Sequence, residues 1–283
     1  MSKVDLHVHT NASDGRYPPA EVIRRAARAG LGVIAITDHD TVGGIAPALE
    51  AARSVPGLRV IPGVEINTDV PSGEAHVLGY FIDHSHLELL ALLSDMRDSR
   101  QDRGQKMVAK LEKLGMPVSW GRVKEIGGTE SIGRPHIAQA MLEKGYISSI
   151  REAFDRYIGW GGPAYVERAK VSPAEATRLI LRASGLPVLA HPLTIGEPEA
   201  MILELKTAGL VGIEVYYGGY SAPDISRLLT WAGKYELIAT GGSDFHGLDE
   251  KAETPLGGAG VPTKAAQDLI ALAEARAARP AWR

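Results

Sequence analysis

Cysteine is missing from this 283-residue chain, which excludes disulfides, thiolate metal sites, iron–sulfur clusters and cysteine nucleophiles. Any metal it binds must be held by imidazole and carboxylate. The sequence also lacks any run approaching the roughly 20 apolar residues that span a bilayer. Its start, MSKVDLHVHT, has neither the charged opening nor the apolar stretch of a signal peptide, so a cytoplasmic protein without a membrane partner is expected. A strong charge bias is absent too: 31 basic and 34 acidic residues give a formal net charge of −3. That leaves no basic field to hold a long duplex nucleic acid, and a nucleic-acid substrate would have to be short. What remains is an ordinary globular composition, 45% hydrophobic and 23% charged. It suits one large domain, or one domain with an insertion, and it contains no internal repeat or low-complexity segment.

Short apolar runs alternate with helical periodicity, the pattern of βα units around a parallel sheet. Val4 to Val8 reads as a buried strand, and Pro18 to Ala29, opened by Pro-Pro and closed by Gly30, as a helix. Strands follow at Leu31 to Thr37, Leu58 to Glu65 and His76 to Ile82, with a helix at Ile45 to Arg53. From about Leu87 to Tyr165 the chain is helical and charged, without a convincing strand. Alternation then resumes with strands at Leu186 to Ala190, Val211 to Tyr216 and Leu237 to Thr240 among four further helices. About seven strands, each but the fourth followed by a helix, predict an α/β fold, a distorted TIM-like barrel rather than an open sheet. Residues 1–86 and 166–283 would form the barrel, and residues 87–165 a helical insertion over its mouth.

In such a barrel, chemistry sits where strands end, and the polar residues there are non-random. The first strand ends in His7-Val8-His9, whose period of two puts both imidazoles on one face, and Asp14 follows. The second runs into Thr37-Asp38-His39-Asp40, the third ends at Glu65, and the fourth carries His76. The fifth delivers His191-Pro192 and the seventh Gly242-Ser243-Asp244-Phe245-His246. A lone histidine at a strand end is usually a hydrogen-bonded turn residue, and a second H-x-H, His84-Ser85-His86, precedes a helix among polar neighbours. Coincidence separates the others: six of the nine histidines, with three carboxylates, gather at one end of successive strands. Burying them together without cations would be costly in desolvation and repulsion.

These motifs, H-x-H followed by Asp, T-D-H-D, G-V-E, H-P and G-S-D-x-H, resemble those of the polymerase and histidinol phosphatase (PHP) family over roughly residues 1–85 and 170–283. The resemblance implies a (β/α)7 barrel with a trinuclear centre: His7, His9, Glu65 and Asp244 on one ion, Glu65 bridging to a second with His76 and His191, and Asp14, His39 and His246 on a third. Many relatives have histidine where Asp14 stands. Nitrogen and oxygen ligands with a bridging carboxylate suit Mn²⁺, Fe²⁺ or Zn²⁺ better than Mg²⁺, and Mn²⁺ is the metal expected. Such a cluster activates a bridging water as the nucleophile of phosphoester hydrolysis, leaving the general acid unidentified.

In the insertion, Ser131-Ile132-Gly133-Arg134-Pro135-His136 combines an arginine with a Pro-initiated helix start that can receive an anion. It resembles the segment of the PHP subgroup acting on nucleoside 3′,5′-bisphosphates and on 5′ ends of short RNA, which implies that Arg134 and His136, with Ser131 beside them, hold phosphate. Arg100, Arg103 and Lys106, on a helix expected from Ser94 to Leu114, read better as a solvated face. Tyr157, Trp160, Tyr216 and Tyr217 are candidates for base stacking, with core or rim packing the plainer reading. The function expected is removal of the 3′-phosphate from a pAp-like bisphosphate, with 5′-3′ trimming of short oligoribonucleotides by the same chemistry. The alternatives are a phosphatase for a small metabolite such as histidinol phosphate, or a metal-binding module without catalysis.

Overall fold

The computed structural model describes residues 3–70, 73–127, 132–167, 171–249 and 252–278. Seven strands lie side by side in chain order: β1 (Val4–Asp5), β2 (Val33–Ile36), β3 (Arg59–Val70), β4 (Gly73–Tyr80), β5 (Leu186–Leu189), β6 (Gly212–Tyr217) and β7 (Ile238–Gly242). The sheet curls until its two edges meet. Leu6 N donates to the Gly241 carbonyl at 3.2 Å, Asp244 N donates to the His7 carbonyl at 2.9 Å, and Val8 bridges Phe245. This is the expected distorted barrel. Its seam needs a glycine, because a Cβ on Gly242 would fall 2.3 Å from that of His7.

The expected parallel succession breaks at β4, which runs antiparallel to both β3 and β5. β3 continues past Glu65 to Val70, and only residues 71 and 72 separate it from Gly73. A parallel return requires a crossover of a dozen or more residues, so the chain must double back. Consequently β3, not β4, lacks a following helix, and the 27-residue α3 (Leu87–Lys113) comes directly after β4.

Helices cover the barrel with the end signals read from sequence. α1 (Pro19–Arg28) has proline in its first turn, basic residues in its last, and Gly30 at φ 75° beyond it. α2 (Ile45–Ala52) lies beside it. After β4 come α3, α4 (Trp120–Gly127), α5 (Arg134–Glu143) and α6 (Ile150–Ala153), the last continued by one π turn. α7 (Pro173–Arg182), α8 (Pro198–Ala208), α9 (Ala222–Lys234) and α10 (Thr263–Ala277) complete the wall. None of the described helices is long and apolar enough to cross a membrane. α3 joins two cores: Leu89, Leu93 and Met96 pack with Ile180 and Ala183 of the barrel side. Met107 and Leu111, further along, pack with Val123, Ile137, Met141 and Ile158.

A buried carboxylate ties the seam together. Asp5 accepts from Ser243 N at 2.9 Å, Ser243 Oγ at 2.7 Å and Gly257 N at 2.8 Å. Asp5→Ala would strand all three donors, and a lost partner in the interior costs about 1–3 kcal/mol per group left unsatisfied. Urea unfolding should give a midpoint lowered by the equivalent of about 3 kcal/mol or more, with the slope unchanged. A loss below about 1 kcal/mol would show that the seam does not depend on this residue.

Candidate metal centre

The barrel converges its polar strand ends on one buried point. His7 and His9 follow β1 on alternate positions and are both wholly buried. The loop after them is held by Asp38, which accepts from Thr10 N at 2.7 Å, Thr10 Oγ1 at 2.8 Å and Ser13 Oγ at 2.8 Å. That network orients Asp14. Glu65 lies within β3, and the antiparallel direction of β4 brings the early residue His76 to the same end, opposite Asn67. His191 and Asp244 follow β5 and β7 with positive φ, 25° and 54°, a backbone state that costs such residues about 1–3 kcal/mol. Strain retained at two such residues of one cluster is consistent with a functional constraint.

Glu65 is the hub. Its Oε2 lies 3.0 Å from His7 Nε2, 3.2 Å from His9 Nε2 and 3.1 Å from His39 Nδ1. Its Oε1 lies 2.8 Å from His76 Nδ1 and 3.2 Å from His191 Nε2. Asp244 Oδ1 is 3.3 Å from His7 Nε2 and 3.1 Å from His9 Nε2, while Asp14 Oδ1 is 3.3 Å from His246 Nε2. All nine predicted ligands are thus brought together. Three overlapping groups can each receive an ion: His7, His9, Glu65 and Asp244; His9, Asp14, His39 and His246; and His39, Glu65 and His76. The last differs from the implied set by placing His39 where His191 was expected, although His191 touches the same oxygen of Glu65.

The spacing fits ions better than hydrogen bonds. Both ring nitrogens of His9 are buried without a hydrogen bond, despite oxygens close by. Donor atoms about 3.0–3.4 Å apart form the edge of an octahedron or tetrahedron with bonds about 2.1 Å long. Outer partners aim the lone pairs inward. The Asp244 carbonyl accepts from His246 Nδ1 at 2.9 Å. Thr194 Oγ1 donates to the His191 carbonyl and so accepts from His191 Nδ1, at 3.1 Å. Tyr217 donates to Asp244 Oδ2 at 3.0 Å, leaving Oδ1 for the centre.

Sequence reasoning missed Glu214. This buried β6 residue accepts from His7 Nδ1 at 3.0 Å and from His191 N at 2.7 Å, fixing the His7 imidazole as outer carboxylates do in metal sites and holding the backbone of His191. The signal was there, one acid inside the apolar run VGIEVYY. Glu253 was missed as well; it accepts four backbone N–H groups, from His246 at 3.3 Å through Asp249 at 3.0 Å, and so shapes the loop carrying His246.

Burial and mutual charge shift the groups of the cluster in opposite directions. Burial alone would raise Glu65, but the imidazoles surrounding it hold it well below the carboxylate range. Asp244 and Asp14 are lowered in the same way. Burial opposes protonation of His7, yet Glu65, Glu214 and Asp244 raise it well above an ordinary imidazole. His246 is carried up to about 10 by Asp14 and Asp244 against the same opposition. His39 goes the other way, pushed down to about 3 by burial and by its positive neighbours.

A cavity of about 230 Å³ opens beside the cluster, and its lining includes Asp14, His39, His76 and His246 together with Arg100, Arg103 and Arg134. Arg134 is where the sequence suggested. His136 is buried, and its Nδ1 accepts from Gly133 N at 3.0 Å, capping α5 behind the cavity wall. Ser131 lies outside the described residues. Arg100 and Arg103 are corrections: instead of a solvated face they have side-chain exposures of 11% and 7%, because the barrel mouth covers that side of α3. Lys106 remains exposed. None of Tyr157, Trp160, Tyr216 and Tyr217 lines the cavity; Trp160 packs edge-on to Tyr165, and Tyr217 serves Asp244. His86 caps α3, and His84-Ser85-His86 forms no metal-type group among the described residues.

A family model for the PHP domain matches residues 5–101. The chain is 36% identical over 257 residues to a 3′,5′-nucleoside bisphosphate phosphatase from Chromobacterium violaceum, covering 88% of this chain and 89% of that one. It is 35% identical over 248 residues to a 5′-3′ exoribonuclease from Haemophilus influenzae, covering 86% and 90%. A solved amidohydrolase from Chromobacterium violaceum, with bound sulfate and no metal, superposes with a TM-score of 0.84 at 34% identity over 90% of each chain.

Raised imidazoles hold protons that a metal must expel, so ion binding and pH are linked with a defined sign. Protein purified without chelator should carry about two to three divalent ions per chain by elemental analysis, and occupancy should fall as the pH is lowered, with proton competition at His7 and His246 starting above the ordinary imidazole range. Titrating Mn²⁺ into the metal-free protein near pH 7.5 in buffers of different ionisation enthalpy should reveal release of at least about one proton per chain. Metal uptake with no proton release would contradict the ligand arrangement.

Proposed function

Since the chain belongs to the PHP family of metal-dependent phosphoesterases, we propose that it removes the 3′-phosphate from nucleoside 3′,5′-bisphosphates. In this reading His7, His9, Asp14, His39, Glu65, His76, His191, Asp244 and His246 hold the ions, and Mn²⁺ is the metal we assign. Ions held by these residues would neutralise the scissile phosphate and acidify a water. The chain's own residues do the rest. Glu214, Thr194 and Tyr217 keep the ligands aimed, and the arginines that line the same cavity bind the second phosphate.

The observation that carries this proposal is a single cavity lined both by members of the ligand cluster and by Arg100, Arg103 and Arg134. Guanidinium groups bind phosphate through paired N–H donors. A substrate with two phosphates on one ribose satisfies both groups of residues, whereas a small alcohol phosphate such as histidinol phosphate would leave the arginines unused. The similarity to an exoribonuclease supports trimming of short 5′-phosphorylated oligoribonucleotides as a second activity, with the 5′-phosphate on the arginines and the next phosphodiester at the metals. We propose residues 87–165 as the cap that carries this anchor.

The two groups can be tested separately. A charge-assisted contact is worth about 1.5–3 kcal/mol, so kcat/KM for pAp should exceed that for 3′-AMP by about ten- to a hundredfold. Arg134→Ala should erase most of that difference while sparing p-nitrophenyl phosphate, and His9→Ala should abolish turnover of all three. Equal efficiency on pAp and 3′-AMP in the unmodified enzyme would remove the anchor, and release of the 5′-phosphate would reverse the binding direction.

A further inference from the structure

The arginine wall contains its own anions. Arg100 Nη2 lies 2.5 Å from Asp40 Oδ2, and Asp40 is fully buried and also accepts from Asn67 N at 2.9 Å, so it is a fixed partner. Glu74 is placed differently. Its Oε1 lies 3.5 Å from Arg103 Nη1 and its Oε2 is paired with Arg134 Nη2, yet it also lines the cavity. It stands next to the start of β4, two positions before His76. Strand alternation puts both side chains on one face, roughly 7 Å apart along the strand. One residue of this pair meets the metal-type cluster and the other meets the arginines.

We propose that Glu74 is a specificity-determining residue: its carboxylate occupies the anion position at Arg103 and Arg134 until the anchored phosphate displaces it. The proposal rests on the bisphosphate reading above. Two guanidiniums side by side in a largely buried wall repel one another and are poorly solvated, and Glu74 balances one of the two charges. A phosphate dianion carries the larger charge and offers the same bidentate pair of acceptor oxygens. It cannot share the position with a carboxylate, because the like charges would be in contact. Binding is therefore an exchange of one anion for another. A neutral or weakly charged group at that point does not displace Glu74 and meets an acidic wall, so discrimination comes from repulsion as well as attraction.

Glu74→Gln keeps the side chain's size and removes its charge. The ligand to use is 5′-AMP, which carries the anchored phosphate without the scissile one, titrated calorimetrically into Mn²⁺-loaded protein. Removing a competing charged contact should tighten 5′-AMP binding about tenfold, and in an Arg134→Ala background the gain should vanish. Binding unchanged or weakened by Glu74→Gln, while Arg134→Ala still weakens it, overturns the role of Glu74 and leaves the bisphosphate reading standing. Binding indifferent to Arg134→Ala as well overturns both. Should Glu74→Gln fail to fold, Glu74→Asp retains the charge but withdraws it from the guanidiniums; tighter binding is again expected, and unchanged or weaker binding overturns the proposal.

Discussion

Glu65 is a wholly buried carboxylate whose two oxygens lie within 2.8–3.2 Å of nitrogens from five imidazoles. So many titratable groups gathered in the interior of a barrel would be strongly destabilising unless cations or protons balanced them. The carboxylates draw His7 and His246 well above the ordinary imidazole range, and in the proposed metal-bound state divalent ions would supply that balance. Everything around the hub serves to keep it assembled.

That support is itself largely acidic and buried. Asp5 closes the seam between β1 and the segment after β7, Asp38 fixes the loop of Asp14, and Glu214 aims His7 while holding the His191 backbone. Each replaces water with several well-placed donors, which makes a buried carboxylate tolerable. The same device recurs beside the cavity, where Glu74 and Asp40 balance the arginines. One cavity is thus lined by residues of a metal-type cluster and by three arginines, as the proposed function would require. Phosphoester chemistry on a doubly charged substrate needs both kinds of group.

Much of this was legible in the sequence because strand ends announce themselves. His7-Val8-His9, Glu65, His191-Pro192 and Asp244-Phe245-His246 each interrupt or end an apolar run at the period a strand imposes. The direction of β4 was not legible from that pattern, since periodicity gives a strand without its sense; the two-residue link between Val70 and Gly73 decides it. Glu214 was overlooked because one acid in an apolar strand carries no motif, although its position alone implied a buried partner. Arg100 and Arg103 were misread for a different reason. Whether a charged helix face is solvated depends on what lies across from it, and the barrel mouth that covers α3 is distant in sequence.

The most direct measurement is anomalous diffraction at the manganese edge from crystals of the Mn²⁺-loaded protein. Peaks in coordination contact with each oxygen of Glu65, at about 2.0–2.3 Å, one beside His7, His9 and Asp244 and another beside His76, are expected. Well-ordered crystals in which no peak touches Glu65, and in which it remains bonded only to protonated imidazoles, would contradict the view that this carboxylate exists to bridge metal ions.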